Sequence, residues 1–355
     1  MRKHRLLSLA TAGLFAVLSF AAHAEKKDHF NVCWTLYAGW MPWGYASTSG
    51  IIDKWADKYG ISIDVVQLND YVESINQYSA GQFDGCGMTN MDALTIPAAA
   101  GVDSTALIVG DYSNGNDGLL IKGEGKKLAD LKGMQVNLVE LSVSHYFLAR
   151  ALETAGLSER DVKLVNTSDA DIIAAFSTAD VQAAATWNPM LAEILSQPGA
   201  TQVFDSSKIP GEILDMMVVN SKTLQDNPNF GKALVGAWFE IMTLMQSDTA
   251  QATDALTEMA KASGTDLAGY KAQLATTKLF YTPQELLTFV TSPALPETMT
   301  KVAAFSFQHG ILGEGASSPE AIGMSFANQV VTGDRANIKL RFDPTYIQLA
   351  ADKKL

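Results

Sequence analysis

Acids, amides, hydroxyls and indoles gather in this sequence where a strand pattern gives way to a helix pattern. In QVNLVELSVSHYFLARALETAG, residues 135 to 156, Glu140, Ser142, Ser144 and His145 follow an apolar run (Val136, Leu138, Val139). They lead into positions Val143, Phe147, Leu148, Ala151, Leu152 and Ala155, which recur at helical spacing, with Gly156 as the stop. In FDGCGMTNMDAL, residues 83 to 94, Asn90 and Asp92 hold the same place. The carboxyl end of a strand beside the amino end of a helix is where open α/β sheets bind ligands. A helix N-terminus suits an anion, yet both elbows put a carboxylate beside it, so the expected ligand is not a simple anion. Each residue also has a plain structural use. Ser142 and Asn90 can cap a helix, and Glu140 and Asp92 can compensate its dipole.

Indoles stand near the same places. Trp40 and Trp43 lie in AGWMPWGY, residues 38 to 45, after the strand pattern FNVCWTLY; the segment is too aromatic for an ordinary loop and is expected to face a cleft, packing beneath the loop being the alternative. Trp187 ends the strand pattern of residues 181 to 186, and Asn188-Pro189 is helix-start chemistry, so Asn188 can simply cap. Asp215 lies in LDMMVVN, residues 214 to 220, read as a strand returning the chain to a first lobe. Carboxylates and indoles lining one cleft suit a small cation or a polar amide. Catalysis is not expected. There is no phosphate loop, no G-x-S-x-G elbow and no zinc-type histidine pair, and Ser142, Ser144 and His145 at one helix start do not make a nucleophile and base. No metal or cofactor is implied.

The elements that must position these residues alternate in β-α order. Strands are expected at 30–37, 61–68, 83–88, 105–109, 119–121, 135–139, 162–165, 181–186 and 214–220, helices at 51–59, 71–80, 93–100 and 143–155, and a polar turn at 110–118. Helices follow at 232–245, 253–262, 283–290 and 297–309. With 355 residues and 47% hydrophobic content the chain can bury two cores. The division read from the pattern is a signal at 1–24, a first lobe at 25–116, a second at 117–212, and a return to the first over 213–355. Arg2, Lys3 and Arg5, the apolar run from Leu6 to Ala21 and Ala22-His23-Ala24 form an export signal, which places the protein in a periplasm. The formal charge of −12 includes those three cations, leaving −15 for the remainder, a balance that excludes binding to nucleic acid. Cys33 and Cys86 can pair in an oxidising compartment if their strands are neighbours, and are buried thiols otherwise.

Four stretches in order, Trp40-Met41-Pro42-Trp43, SAGQFDGCGMTNMDAL (79–94), LADLKGMQVNLVELSVSHYFL (128–148) and VQAAATWNPMLAEI (181–194), resemble the periplasmic substrate-binding proteins of ABC importers in the nitrate, sulfonate and taurine group. The wording is most similar to the subgroup associated with urea carboxylase, which handles urea or guanidine. That resemblance implies an α/β periplasmic-binding-protein fold of type II, two lobes joined by two crossover segments and a helical C-terminal shell on the first lobe. It also implies a monomer serving a membrane permease and its ATPase. Glu140 and Asp92 depart from what an anion needs. Guanidinium fits them best, clamped by Glu140 and Asp92 with Trp40, Trp43 or Trp187 stacking and Asn90, Ser142 and Ser144 at its edge. Urea, a short amide or a nitrate- or sulfonate-type anion are the alternatives, as are a sensor with the same ligand and an enzyme on the same fold, like those of thiamine-precursor synthesis.

Overall fold

The computed structural model describes residues 27–313 and 315–355; the expected export signal lies outside them. Strand β1 (His29–Trp34) buries Phe30, Val32, Cys33 and Trp34. A 3-10 turn at Ala38–Trp40 runs into α1 (Met41–Thr48), so the aromatic segment expected as a loop is a helix. Pro42 sits in its first turn, where a missing N–H leaves no bond unmade. Helix α2 (Ile51–Lys58), β2 (Ser62–Gln67), α3 (Tyr71–Ser79) and β3 (Gly85–Thr89) follow, with β2 and β3 parallel to β1 on either side. Cys33 lies opposite Cys86 in that pairing, Cα atoms 4.4 Å apart, and the two form a disulfide. The helix expected at 93–100 is instead a single turn, α4 (Asn90–Ala93), continued by a π-helical segment at Leu94–Ala98, because Pro97 has no N–H to give the α ladder. Strand β4 (Ser104–Ser113) carries Asp111 inside it, where a turn was expected.

The second sheet begins at β5 (Asp117–Lys122) and adds β6 (Gln135–Leu138), α5 (Val143–Thr154), β7 (Lys163–Asn166), α6 (Ile172–Ser177), β8 (Ala183–Trp187), α7 (Met190–Leu195) and β9 (Ala200–Asp205). Among the described residues its order is β7-β6-β8-β5-β9. The chain then returns to the first sheet through β10 (Leu214–Asn220), which inserts antiparallel between β3 and β4 and sets Asp215 opposite both Thr89 and Asp111. The two segments that pass between sheets, 114–116 and 206–213, are stitched together by the Ser113 and Ser206 hydroxyls, 2.6 Å apart.

The remaining helices are α8 (Ser221–Asp226), α9 (Pro228–Met245), α10 (Ala250–Ala262), α11 (Leu267–Leu274), α12 (Pro283–Val290), α13 (Ala294–Gln308) and α14 (Thr345–Ala351). Interspersed strands β11 (Thr277–Leu279), β12 (Gly323–Ser325), β13 (Val331–Thr332) and β14 (Ile338–Phe342) extend the first sheet to nine strands among the described residues. The C-terminal region is therefore more than the helical shell expected of it; strands this short show no alternation to read. Helix α9 is apolar nearly all round and is buried accordingly. Its Trp238 stacks on Trp43 at 5.0 Å between ring centroids.

The disulfide spans 53 residues of sequence, and closing a loop of that length removes unfolded-chain entropy worth about 4 kcal/mol. Reduced protein is expected to unfold at a clearly lower urea concentration than oxidised protein. Identical midpoints would show that the bridge does not form in solution.

Candidate functional site

The strand ends of the two sheets face each other across a cavity of about 10 Å³, room for the centre of one water-sized sphere. The first lobe supplies Tyr37 after β1, Trp40 in the 3-10 turn, Tyr71 at the start of α3, Thr89 at the end of β3, and Ile213 and Asp215 on the returning chain. The second lobe supplies Asp117 at the start of β5, Val143 at the start of α5 and Trp187 at the end of β8. Gly87 lets the Trp40 indole lie flat on β3, since a Cβ there would stand 3.3 Å from the ring. Tyr37 meets Trp40 edge-on at 5.1 Å, and Tyr71 meets Trp187 edge-on at 5.5 Å, which carries the aromatic wall across the cleft.

Four buried carboxyls surround this space: Asp117 and Asp215 in the wall, Asp92 and Asp111 behind it. Asp92 Oδ2 accepts from the Tyr71 hydroxyl at 2.5 Å, the Thr89 hydroxyl at 2.8 Å and the Val143 backbone N–H at 3.3 Å. Asp111 Oδ1 accepts from the Tyr37 hydroxyl at 2.7 Å. Asp92 Oδ1, Asp111 Oδ2 and Asp215 Oδ2 are buried without a hydrogen-bond partner. Burial raises Asp92 to about 6 against its three hydrogen bonds, and raises Asp117 to about 6, helped by the charge of Asp92 and opposed by the Ser113 hydroxyl. Burial likewise raises Asp111 and Asp215, the latter further because Asp111 and Asp117 repel its charge. No cation pairs with any of the four among the described residues. Such a set is chemically a receptor for positive charge or for a ligand that shares its protons.

The structure gathers Trp40, Asp92, Trp187 and Asp215 at the cavity. Ser142 and Ser144 flank the lining residue Val143 but do not themselves line the cavity; Ser142 caps α5 through Ser144 N–H at 3.2 Å and donates to Val139 O. Five other candidates are placed elsewhere. Glu140 is half-buried and absent from the wall, because the elbow turns through Leu141 (φ 62°, 56% exposed) and presents Val143 instead. Trp43 is core, against Trp238. Asn90 ties α4 to the second crossing, donating to Glu212 O at 3.0 Å and accepting from Leu214 N–H at 3.0 Å. His145 faces Glu159. Asn188 accepts from Ala192 N–H, capping α7, and donates to the Thr276 hydroxyl. Tyr37, Tyr71, Asp111 and Asp117 were missed by sequence reasoning. Asp111 carried a readable signal, an acid closing the apolar run TALIVGD.

The lobes are closed on each other. Besides Val143 N–H to Asp92, Tyr71 N–H donates to Asp169 Oδ1 at 3.1 Å, Trp187 Nε1 to Leu36 O at 3.0 Å and Ala38 N–H to Asn188 O at 3.1 Å. Two α/β lobes shut on a buried cavity, with two crossings between them, define a solute-binding protein of the periplasmic-binding-protein fold. The chain belongs to the NMT1/THI5 like family, whose pattern matches residues 54–252. It is 25% identical over 273 residues to a binding protein of Brucella abortus, covering 75% of this chain and 82% of that one. To the taurine-binding periplasmic protein of Escherichia coli it is 24% identical over 224 residues, 62% of this chain and 67% of that one. The alkanesulfonate-binding protein SsuA of Xanthomonas axonopodis pv. citri, solved bound to MOPS, shares the fold with a TM-score of 0.67 at 18% identity, covering 82% of this chain and 96% of that one. No helix among the described residues is long and apolar enough to cross a membrane.

A carboxyl whose value folding raises favours the native state at low pH. It loses that advantage as pH climbs from the ordinary carboxylate range through the raised value. Asp111 and Asp215 sit on adjacent strands of one sheet, so movement of the lobes does not separate them. The melting temperature of ligand-free protein is expected to fall between about pH 5 and about pH 8, and Asp215→Asn to flatten that slope and raise the value at the upper end by several degrees. A wild-type slope in the variant would show that the pair is not buried in solution.

Proposed function

We propose that the cavity closes on guanidinium and that the protein delivers it to the permease and ATPase of an ABC importer. The observation that carries this reading is the charge of the wall: Asp117 and Asp215 line it, Asp92 and Asp111 back it, and no lysine, arginine or histidine is among the lining residues described. A planar cation with donors along its edge suits carboxylates whose outer oxygens lack partners, and the indoles of Trp40 and Trp187 offer it π faces. A sulfonate or nitrate, the kind of ligand for which the taurine- and alkanesulfonate-binding relatives are named, would meet two carboxyls here with no cation to offset them. An enzyme on this fold would want a nucleophile or a histidine at the cavity, and its described lining holds neither cysteine, serine nor histidine.

One observation favours urea as the second reading. Asp92 and Asp117, raised to about 6, take up protons readily, and a protonated carboxyl both donates and accepts, as a neutral amide requires. Titration calorimetry with guanidinium chloride, urea, taurine and sodium nitrate at fixed ionic strength separates the readings. Guanidinium is expected to bind with release of protons, because a cation pulls the carboxyls down, so its affinity rises between about pH 5 and about pH 8. Asp215→Asn or Asp117→Asn is expected to weaken it about a hundredfold. Tight urea binding with guanidinium silent would replace the cation reading by the neutral one, and binding of taurine or nitrate alone would overturn both.

A further inference from the structure

Outside the cavity, a second polar contact joins the lobes and takes no part in lining the site. Glu159 lies in the turn Glu159–Asp161 of the second lobe, after α5. One of its carboxylate oxygens meets His145 Nε2 on α5, and the other meets His309 Nδ1, at the end of α13 on the first lobe. His145 Nδ1 accepts from the Leu141 backbone N–H at 3.2 Å, so its Nε2 carries the proton that it gives to Glu159. His145 therefore aims the carboxylate while staying within its own lobe. His309 is the member that crosses. Its ring stacks on Phe305 at 4.0 Å, and Phe305 in turn packs edge-on against Tyr146 of α5 at 4.7 Å.

We propose that Glu159 and His309 form a clasp that holds the lobes closed and that tightens when His309 takes up a proton. The clasp acts whatever solute the cavity holds. A charged pair holds more strongly than a neutral hydrogen bond between the same atoms, so a proton gained by His309 tightens the clasp. Burial pushes the Glu159 carboxyl up, and the hydrogen bonds it accepts from His145 and His309 outweigh it, holding the group below its ordinary value. The carboxylate's contribution is thus lost only as pH falls below the ordinary carboxylate range. Arg160 adjoins Glu159 in the same turn, and three other charges on these elements are engaged elsewhere. Arg150 of α5 is paired with Glu212 and Glu153, Asp161 caps its own turn through Ser158, and the charge of Lys301 on α13 falls on Glu212.

The test reads lobe separation in ligand-free protein by energy transfer between dyes on Lys163→Cys in the second lobe and Lys261→Cys in the first, both exposed positions. The ratio of closed to open protein is expected to rise about fivefold from about pH 8 to about pH 6. Glu159→Gln and His309→Gln should each abolish most of that rise, whereas Asp215→Asn, which acts on the cavity carboxyls, should leave the clasp's share in place. A full pH response in both clasp variants would overturn the proposal and assign the response to the cavity carboxyls. A ratio independent of pH in the wild type would overturn it as well. Either result leaves the solute reading untouched, since no ligand is added.

Discussion

A carboxylate removed from water without a cation beside it is among the costliest things a fold can hold, and this fold holds four around one small space. The arrangement of the chain follows from placing them. Inserting β10 antiparallel between β3 and β4 brings Asp215 into register with Asp111 on one side and with Thr89, the residue that binds Asp92, on the other. Two tyrosines then supply hydroxyl donors from loop and helix starts, Tyr37 to Asp111 and Tyr71 to Asp92. Burial keeps both phenols protonated, so they act as donors only toward the acids. Asp92, Asp111 and Asp215 are each left with one oxygen that lacks a partner.

The set of four acids is completed by the second lobe. Asp117 opens β5 immediately after the first crossing, so the acid set is divided between bodies joined only by 114–116 and 206–213. Closure brings four carboxyls together, which is unfavourable by itself, and joins Trp187 to Tyr71, Trp187 Nε1 to Leu36 O and Ala38 to Asn188, which is favourable. A balance of that kind makes closure responsive to what neutralises the acids. Protons do so weakly and a cation more completely.

Much of this was legible in sequence, and the rest had physical reasons to be hidden. The elbows at 89–92 and 140–143, the indoles at 40 and 187, and the returning strand with Asp215 all follow from periodicity and from where open sheets bind ligands. Asp117 was hidden in the polar run GDYSNGNDG, because turn residues and strand-opening acids look alike in composition. Glu140 and Trp43 were misplaced for opposite reasons. A left-handed residue at Leu141 rotates Glu140 out of the elbow, which no pattern of residue types reveals. Trp43 lies inside α1 and packs on Trp238 of α9, whereas Trp40 precedes that helix in the 3-10 turn, a distinction that a loop reading of the segment does not make. Tyr37 and Tyr71 read as apolar, and their hydroxyls matter only because β4 and β3 bring acids to them.

The helix N-terminus at α5 shows how one fold can present clefts of different charge. Free backbone N–H groups at a helix start attract anions. Here the Val143 N–H, the first of α5, is already given to a carboxylate, that of Asp92 reaching across from the other lobe. The protein thus supplies its own anion at the place where an anionic solute would gain most, and turns the remaining acid oxygens toward the role of acceptor. One side chain of α4 thus puts a carboxyl at that helix start without altering a strand or a crossing. Similarity of fold to sulfonate-binding proteins therefore speaks to how the lobes close, while the charge lining the cleft is set by individual side chains such as Asp92, Asp117 and Asp215.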